Sequence, residues 1–118
     1  MAIDNSTTKK ILFVCSQNRL RSPTAEKIFS EESDLDVKSA GIYQDATNPI
    51  SSELVEWADI IFVMEKRQRN AIHKKFKDIY RNKRIICLYI PDEYEYMNPE
   101  LIQLLKKKVS PYLHRIHY

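Results

Sequence analysis

A run of large apolar side chains that ends in a cysteine, followed a short loop later by Ser-Pro, constrains this chain more than any other feature. Lys10 to Cys15 reads KILFVC. Apolar residues without alternation are the mark of a strand buried on both faces, as in a parallel sheet. Ser22-Pro23 then reads as a helix start, because serine caps free amides and proline is favoured at the first helical position. The predicted helix runs through Ala25, Ile28 and Phe29 to about Glu32. Between strand and helix lies the loop CSQNRLRS, Cys15 to Ser22.

The rest of the chain repeats this alternation. Leu35 to Ala40 reads as a second strand ending at Gly41, and Tyr43 to Pro49 as loop. Ser51 or Ser52 caps a short helix through Leu54, Val55 and Trp57, and Asp59 to Met64 forms a third strand. Glu65 to Tyr80 carries apolar points at Ala71, Ile72, Phe76 and Ile79, a helical period. Arg84 to Ile90 makes a fourth strand, and the acidic loop PDEYEYM follows it. Asn98-Pro99 opens a last helix with Leu101, Ile102, Leu104, Leu105 and Val109 on or near its buried face, which Pro111 should kink or interrupt.

Strands and helices in this order predict an α/β fold, a small three-layer sandwich with a four-stranded parallel sheet and helices on both faces. At 118 residues and 43% apolar, the chain supports one core, so residues 9–118 are read as a single domain behind a flexible arm, residues 1–8. In such sheets ligands bind beyond the carboxyl ends of the strands. Cys15 and the PDEYEYM loop both fall there.

The charge is mixed, 19 Lys plus Arg against 16 Asp plus Glu. That excess is mild beside dedicated nucleic-acid binders and suits an anionic substrate no better than a solvated surface. Only two cysteines occur, so no disulfide framework is expected. The first residues, MAIDNSTTKK, lack a signal-type apolar stretch, and runs such as Ile60 to Met64 are too short to span a bilayer. A soluble, cytoplasmic protein is expected, without metal or cofactor: His73, His114 and His117 lack the spacing of a metal site. Gly41 is the single glycine, so turns must rely on Asn, Asp, Ser and Pro.

The loop has a specific chemical use. Its backbone N–H groups can form an anion nest at the helix N-terminus, and Arg21 can grip two phosphate oxygens with its planar fork. Cys15 then sits beneath the phosphorus. A thiol attacks as the thiolate, so it must be activated; a helix dipole supplies roughly 0.3–2 kcal/mol, and the amides, Arg21 and the Ser22 hydroxyl must supply more. The expelled oxygen needs a proton, for which Asp92, Glu93 and Glu95 are candidates. Asp92, next after Pro91, follows the fourth strand most closely. A lone cysteine at a strand end is more often a small buried hydrophobe. It is the strand, Asn18, Arg21, the Ser-Pro start and the distant Asp92 together that favour catalysis.

These residues resemble the low-molecular-weight protein tyrosine phosphatase family, whose signature is a strand followed by Cys-x-x-Asn-x-x-Arg-Ser-Pro. ILFVCSQNRLRSPTAE, Ile11 to Glu26, matches it at Cys15, Asn18, Arg21, Ser22 and Pro23. KSAGI is similar to the family's second strand, WADIIFVMEKRQRNAI to its third strand and following helix, and IPDEY to its acid loop. The resemblance implies Cys15 as nucleophile, Arg21 as phosphate ligand and Asp92 as general acid. It implies that Asn18 and Ser22 shape the loop, that Ser16, Gln17, Arg19 and Leu20 line the substrate phosphate, and that Tyr94 sits at the pocket rim. The implied substrate is a phosphotyrosine protein or a small aryl phosphate.

Three departures stand out. Leu20 occupies a position where many members carry a second, protective cysteine, and Cys87 on a strand is a doubtful replacement. Gln17 stands where the family commonly has glycine, and Glu93 where its acid loop has proline. The stretch from Gly41 to Trp57 looks shorter than the family's. Alternatives are a phosphatase for a nucleotide or RNA end, a thioredoxin-coupled arsenate reductase, which needs two further cysteines, and a phosphate-binding module without catalysis. The cationic helix EKRQRNAIHKKFK is read as a solvated face, and Trp57 as core.

Overall fold

A computed structural model describes residues 8–79 and 83–113. Of the predicted arm only Thr8 falls among them, and His114 and His117 lie outside. The strands are β1 (Lys9–Cys15), β2 (Leu35–Gly41), β3 (Ile60–Val63) and β4 (Arg84–Cys87), and the helices α1 (Arg21–Phe29), α2 (Ser52–Trp57), α3 (Lys66–Lys75) and α4 (Pro99–Leu113). All pairings are parallel, in the order β2-β1-β3-β4. The expected sandwich is present.

Alternate side chains of a strand face opposite ways, which here divides one apolar run between two cores. Ile11, Phe13 and Cys15 point with Phe62 to the side covered by α1 and α4, where Ala25, Phe29, Leu101, Leu105 and Val109 meet them. Phe13 stacks between Phe29 and Phe62, ring centres 5.5 and 5.3 Å away. Leu12 and Val14 point to the other side with Val55 of α2 and Ile72 of α3. The chain leaves β1 for β2 on one flank and returns to β3 on the other. The crevice where connections diverge therefore opens at the carboxyl end of β1, at Cys15.

Several boundaries differ from expectation. β4 ends at Cys87 rather than Ile90 because Tyr89 takes a left-handed backbone, φ 56°. Leu88 and Ile90 still donate to the carbonyls of Val63 and Met64, both at 2.8 Å, so the strand continues as a kinked ribbon. α1 stops at Phe29, where Ser30 begins turns toward β2. α3 stops at Lys75: Phe76 leaves helical geometry, and a turn follows in which Ile79 donates to its carbonyl. Pro111 does not interrupt α4, which continues to Leu113. Its ring forfeits one hydrogen bond near the helix end, while buried Val109 and Leu113 hold that turn on the core. Asn98 caps α4 as expected, accepting from Glu100 N at 2.8 Å.

Candidate active site

The loop after β1 is held by its carbonyls. Those of Cys15, Ser16 and Gln17 accept from the amides of Ile42, Tyr43 and Thr47 at 3.1, 3.2 and 3.0 Å. In a planar trans peptide the N–H points opposite to the C=O. Drawing these carbonyls outward therefore turns the amides of Ser16, Gln17 and Asn18 toward the concave side. The sequence made this possible with Gly41: a Cβ there would lie 2.6 Å from the Ser16 carbonyl and 2.9 Å from the Asn18 nitrogen. The lone glycine is spent on close approach, and the tight turn falls to Asn18, φ 56°, the residue type that best tolerates it after glycine.

The helix begins two residues earlier than Ser-Pro suggests. Arg21 is its first residue, Leu20 occupies the cap position, and no side chain caps it. Ser22 is thus no cap, a correction with a plain cause: its hydroxyl is engaged inward. Ser22 Oγ lies 3.0 Å from Cys15 Sγ, accepts from Asn18 Nδ2 at 2.9 Å and faces the Ala40 carbonyl at 3.4 Å. A hydroxyl has one proton to give. Once the sulfur is a thiolate it can only accept, so Ser22 donates to it. Asn18 Nδ2 also donates to Ser39 Oγ at 2.9 Å, and Ser39 donates to the Glu26 carboxylate.

Arg21 is buried, 2% exposed, while Asp92 is 58% exposed. Arg21 Nη1 donates to the Ile90 carbonyl at 2.7 Å and lies 3.2 Å from Glu65 Oε1. Its Nε is 3.7 Å from Asp92 Oδ1. A cavity of about 210 Å³ is lined by Cys15, Ser16, Gln17, Arg19, Leu20, Arg21 and Asp92. Seven of the ten predicted site residues thus line one cleft. Asn18 and Ser22 lie buried beneath the loop. Tyr94 is elsewhere: it packs against the α1–α4 core and borders a separate shallow cleft with Glu100 and Leu104. The rim placement expected for it is corrected, because its ring is taken up by that core; farther along, the loop turns at Met97, φ 62°, whose amide is tied to Thr24 Oγ1 at 2.9 Å. Gln17, in place of glycine, buries its Oε1 without a hydrogen-bond partner among the described residues.

Residues 10–49 match the family model described as low molecular weight phosphotyrosine protein phosphatase. The matched stretch runs from β1 through the phosphate loop and α1 to the end of the β2 connection. Its likeness to solved low molecular weight phosphatases extends over nearly the whole fold. The tyrosine phosphatase SP-PTP of Streptococcus pyogenes is 20% identical, with a TM-score of 0.75 over 94% of this chain and 95% of that one. A YwlE mutant of Bacillus subtilis is 25% identical, TM-score 0.68, over 90% and 99%. The YwlE arginine phosphatase of Geobacillus stearothermophilus is 19% identical, TM-score 0.66, over 93% and 98%. Among curated proteins, none matches the sequence.

Low molecular weight phosphatases are cysteine-dependent, and this chain carries its cysteine buried at the crevice of the sheet. It is a cysteine-based phosphatase acting on phosphorylated substrates. None of the described helices is long and apolar enough to cross a membrane. Two contributors to the site escaped sequence reasoning: Glu65 and Gln68. Their spacing is that of a capping box, which marks a helix start in sequence, but nothing local shows that the cap faces Arg21.

Proposed function

We propose that the protein is a protein tyrosine phosphatase working through a cysteinyl-phosphate with Asp92 as general acid. The observation that carries this reading is that one cavity is lined by Cys15, Arg21 and Asp92, with Arg21 Nε 3.7 Å from the Asp92 carboxylate. Cys15 Sγ attacks phosphorus in line with the leaving oxygen. The S–P bond forms, the P–O bond to the leaving group breaks, and Asp92 delivers its proton to that oxygen. Arg21 and the inward amides hold the equatorial oxygens. Asp92, now a carboxylate, takes a proton from water, which attacks phosphorus; the S–P bond breaks and inorganic phosphate leaves. The mobility this double task needs suits the exposed position of Asp92. Two free cysteines on the described chain suit a reducing compartment, the cytoplasm.

Hydrolysis of an aryl phosphate tests the mechanism. Cys15→Ser abolishes turnover and Asp92→Asn lowers it by about 10²–10⁴. Full activity in Cys15→Ser overturns the reading.

A second substrate, phosphoarginine, is favoured by the cleft lining, which contains no aromatic ring to stack on a phenol. The Asp92 carboxylate offers a guanidinium leaving group a charged partner instead, and one of the similar structures is an arginine phosphatase. A panel of phosphotyrosine, phosphoserine, phosphoarginine and nucleotide monophosphate, ranked by kcat/KM, separates these substrates.

A further inference from the structure

The first turn of α3 touches both ends of the phosphate loop, and nothing in the mechanism above uses it. Glu65 is the N-cap of α3 in a reciprocal capping box with Gln68. Gln68 is fully buried. Its Oε1 accepts from the amides of Met64 and Glu65 at 2.8 and 2.7 Å. Its Nε2 donates to Ser16 Oγ at 3.2 Å and to Glu65 Oε1 at 3.3 Å. The same Glu65 oxygen lies 3.2 Å from Arg21 Nη1. An ordinary helix cap ends at its own amides. This one reaches Ser16 at the start of the loop and Arg21 at its end.

We propose that Glu65 and Gln68 form a positioning clamp that fixes which edge of the Arg21 guanidinium meets the phosphate. Nη1 is occupied, lodged between the Ile90 carbonyl and Glu65. The edge left for a bidentate grip is therefore Nε and Nη2, the edge whose Nε faces Asp92. Fixing that edge sets the phosphate between the thiol and the acid, which is what in-line transfer requires. The carboxylate has a cost as well: its negative charge repels a phosphate dianion and partly offsets Arg21. Geometry and charge of Glu65 thus act in opposite directions on phosphate binding, and two substitutions separate them.

Glu65→Ser keeps a good N-cap for α3 but cannot reach Arg21. Glu65→Gln keeps the reach and an acceptor oxygen but removes the charge. The measurements on the full chain are kcat and KM for an aryl phosphate, the competitive inhibition constant of inorganic phosphate, and the melting temperature. For Glu65→Ser the expected result is a phosphate inhibition constant weaker by about tenfold and kcat lower by about ten- to a hundredfold, at a near-native melting temperature. Glu65→Gln should bind inorganic phosphate about threefold more tightly than the parent and recover most of the kcat that serine loses. The proposal is overturned if Glu65→Ser matches the parent in kcat, KM and inhibition. It is equally overturned if Glu65→Gln weakens phosphate binding as serine does. The clamp is argued for the phosphatase reading, but calorimetric titration with inorganic phosphate tests it without turnover. A parent that binds phosphate and hydrolyses nothing therefore refutes the phosphatase reading alone.

Discussion

Asn18 Nδ2 donates to Ser22 Oγ at 2.9 Å, and it does so from a left-handed backbone, φ 56°. The hydroxyl it reaches is the one beside the Cys15 sulfur. One residue therefore shapes the turn and orients the hydrogen-bond donor. Asn18→Gly retains the turn and loses the amide, whereas Asn18→Ala loses both. We expect alanine to cost about 1–3 kcal/mol of stability and glycine less, with kcat reduced in both. Urea unfolding and aryl phosphate turnover of the pair check this.

Ser22→Ala removes the one proton the hydroxyl can give to sulfur. Its backbone is within α1 and its side chain caps nothing, so the fold should persist. We expect kcat to fall about ten- to a hundredfold, in line with loss of one hydrogen bond to a charged group, about 1.5–3 kcal/mol. Alkylation of Cys15 by iodoacetamide at neutral pH should slow in parallel. An unchanged alkylation rate would remove the hydroxyl from the activation of the thiol.

Gly41→Ala places a methyl 2.6 Å from both the Ser16 carbonyl and the Ala46 Cβ. Neither can retreat without shifting the loop or the segment that pins it. A loss of about 1–3 kcal/mol is expected, with a rise in KM, since the displaced peptide is one that turns an amide inward. Thermal unfolding and the KM of an aryl phosphate read the two effects separately.

Much of this was legible in the sequence, and the exceptions share a cause. Ile11 to Val14 declare a buried central strand by composition alone, and Asn98-Pro99 declares a helix start that the structure keeps. Ser22-Pro23 carries the same local signal, yet the serine is drawn away by Cys15 and Asn18. Local propensity gives no weight to a partner across the loop. Glu65 and Gln68 went unread because their contacts to Arg21 and Ser16 join parts distant in sequence. Tyr94 was assigned by likeness of its loop, whereas its ring packs against a core built from α1 and α4, which lies outside that loop's local pattern.

Cys87 should not protect Cys15. Cys15 belongs to the core under α1 and α4, whereas Cys87 packs with the core on the opposite face. With Leu20 beside the nucleophile in place of a thiol, we expect peroxide to inactivate the enzyme without an intramolecular disulfide. Intact-mass measurement of the peroxide-treated protein and identical inactivation rates for Cys87→Ser check this.

The strand order gives the two proposed chemical partners different support. Cys15 ends β1, a strand flanked on both sides, whereas Asp92 hangs from the edge strand β4 beyond the Tyr89 kink. Covalent attack rewards a nucleophile that does not move, and proton donation followed by water activation rewards a carboxyl group that does. In the mechanism proposed above, the centre of the sheet serves as the anvil and its margin as the arm that carries the acid. Changes of leaving group can therefore be accommodated at the margin, by altering the 91–97 loop, while the bond-making half of the site stays untouched.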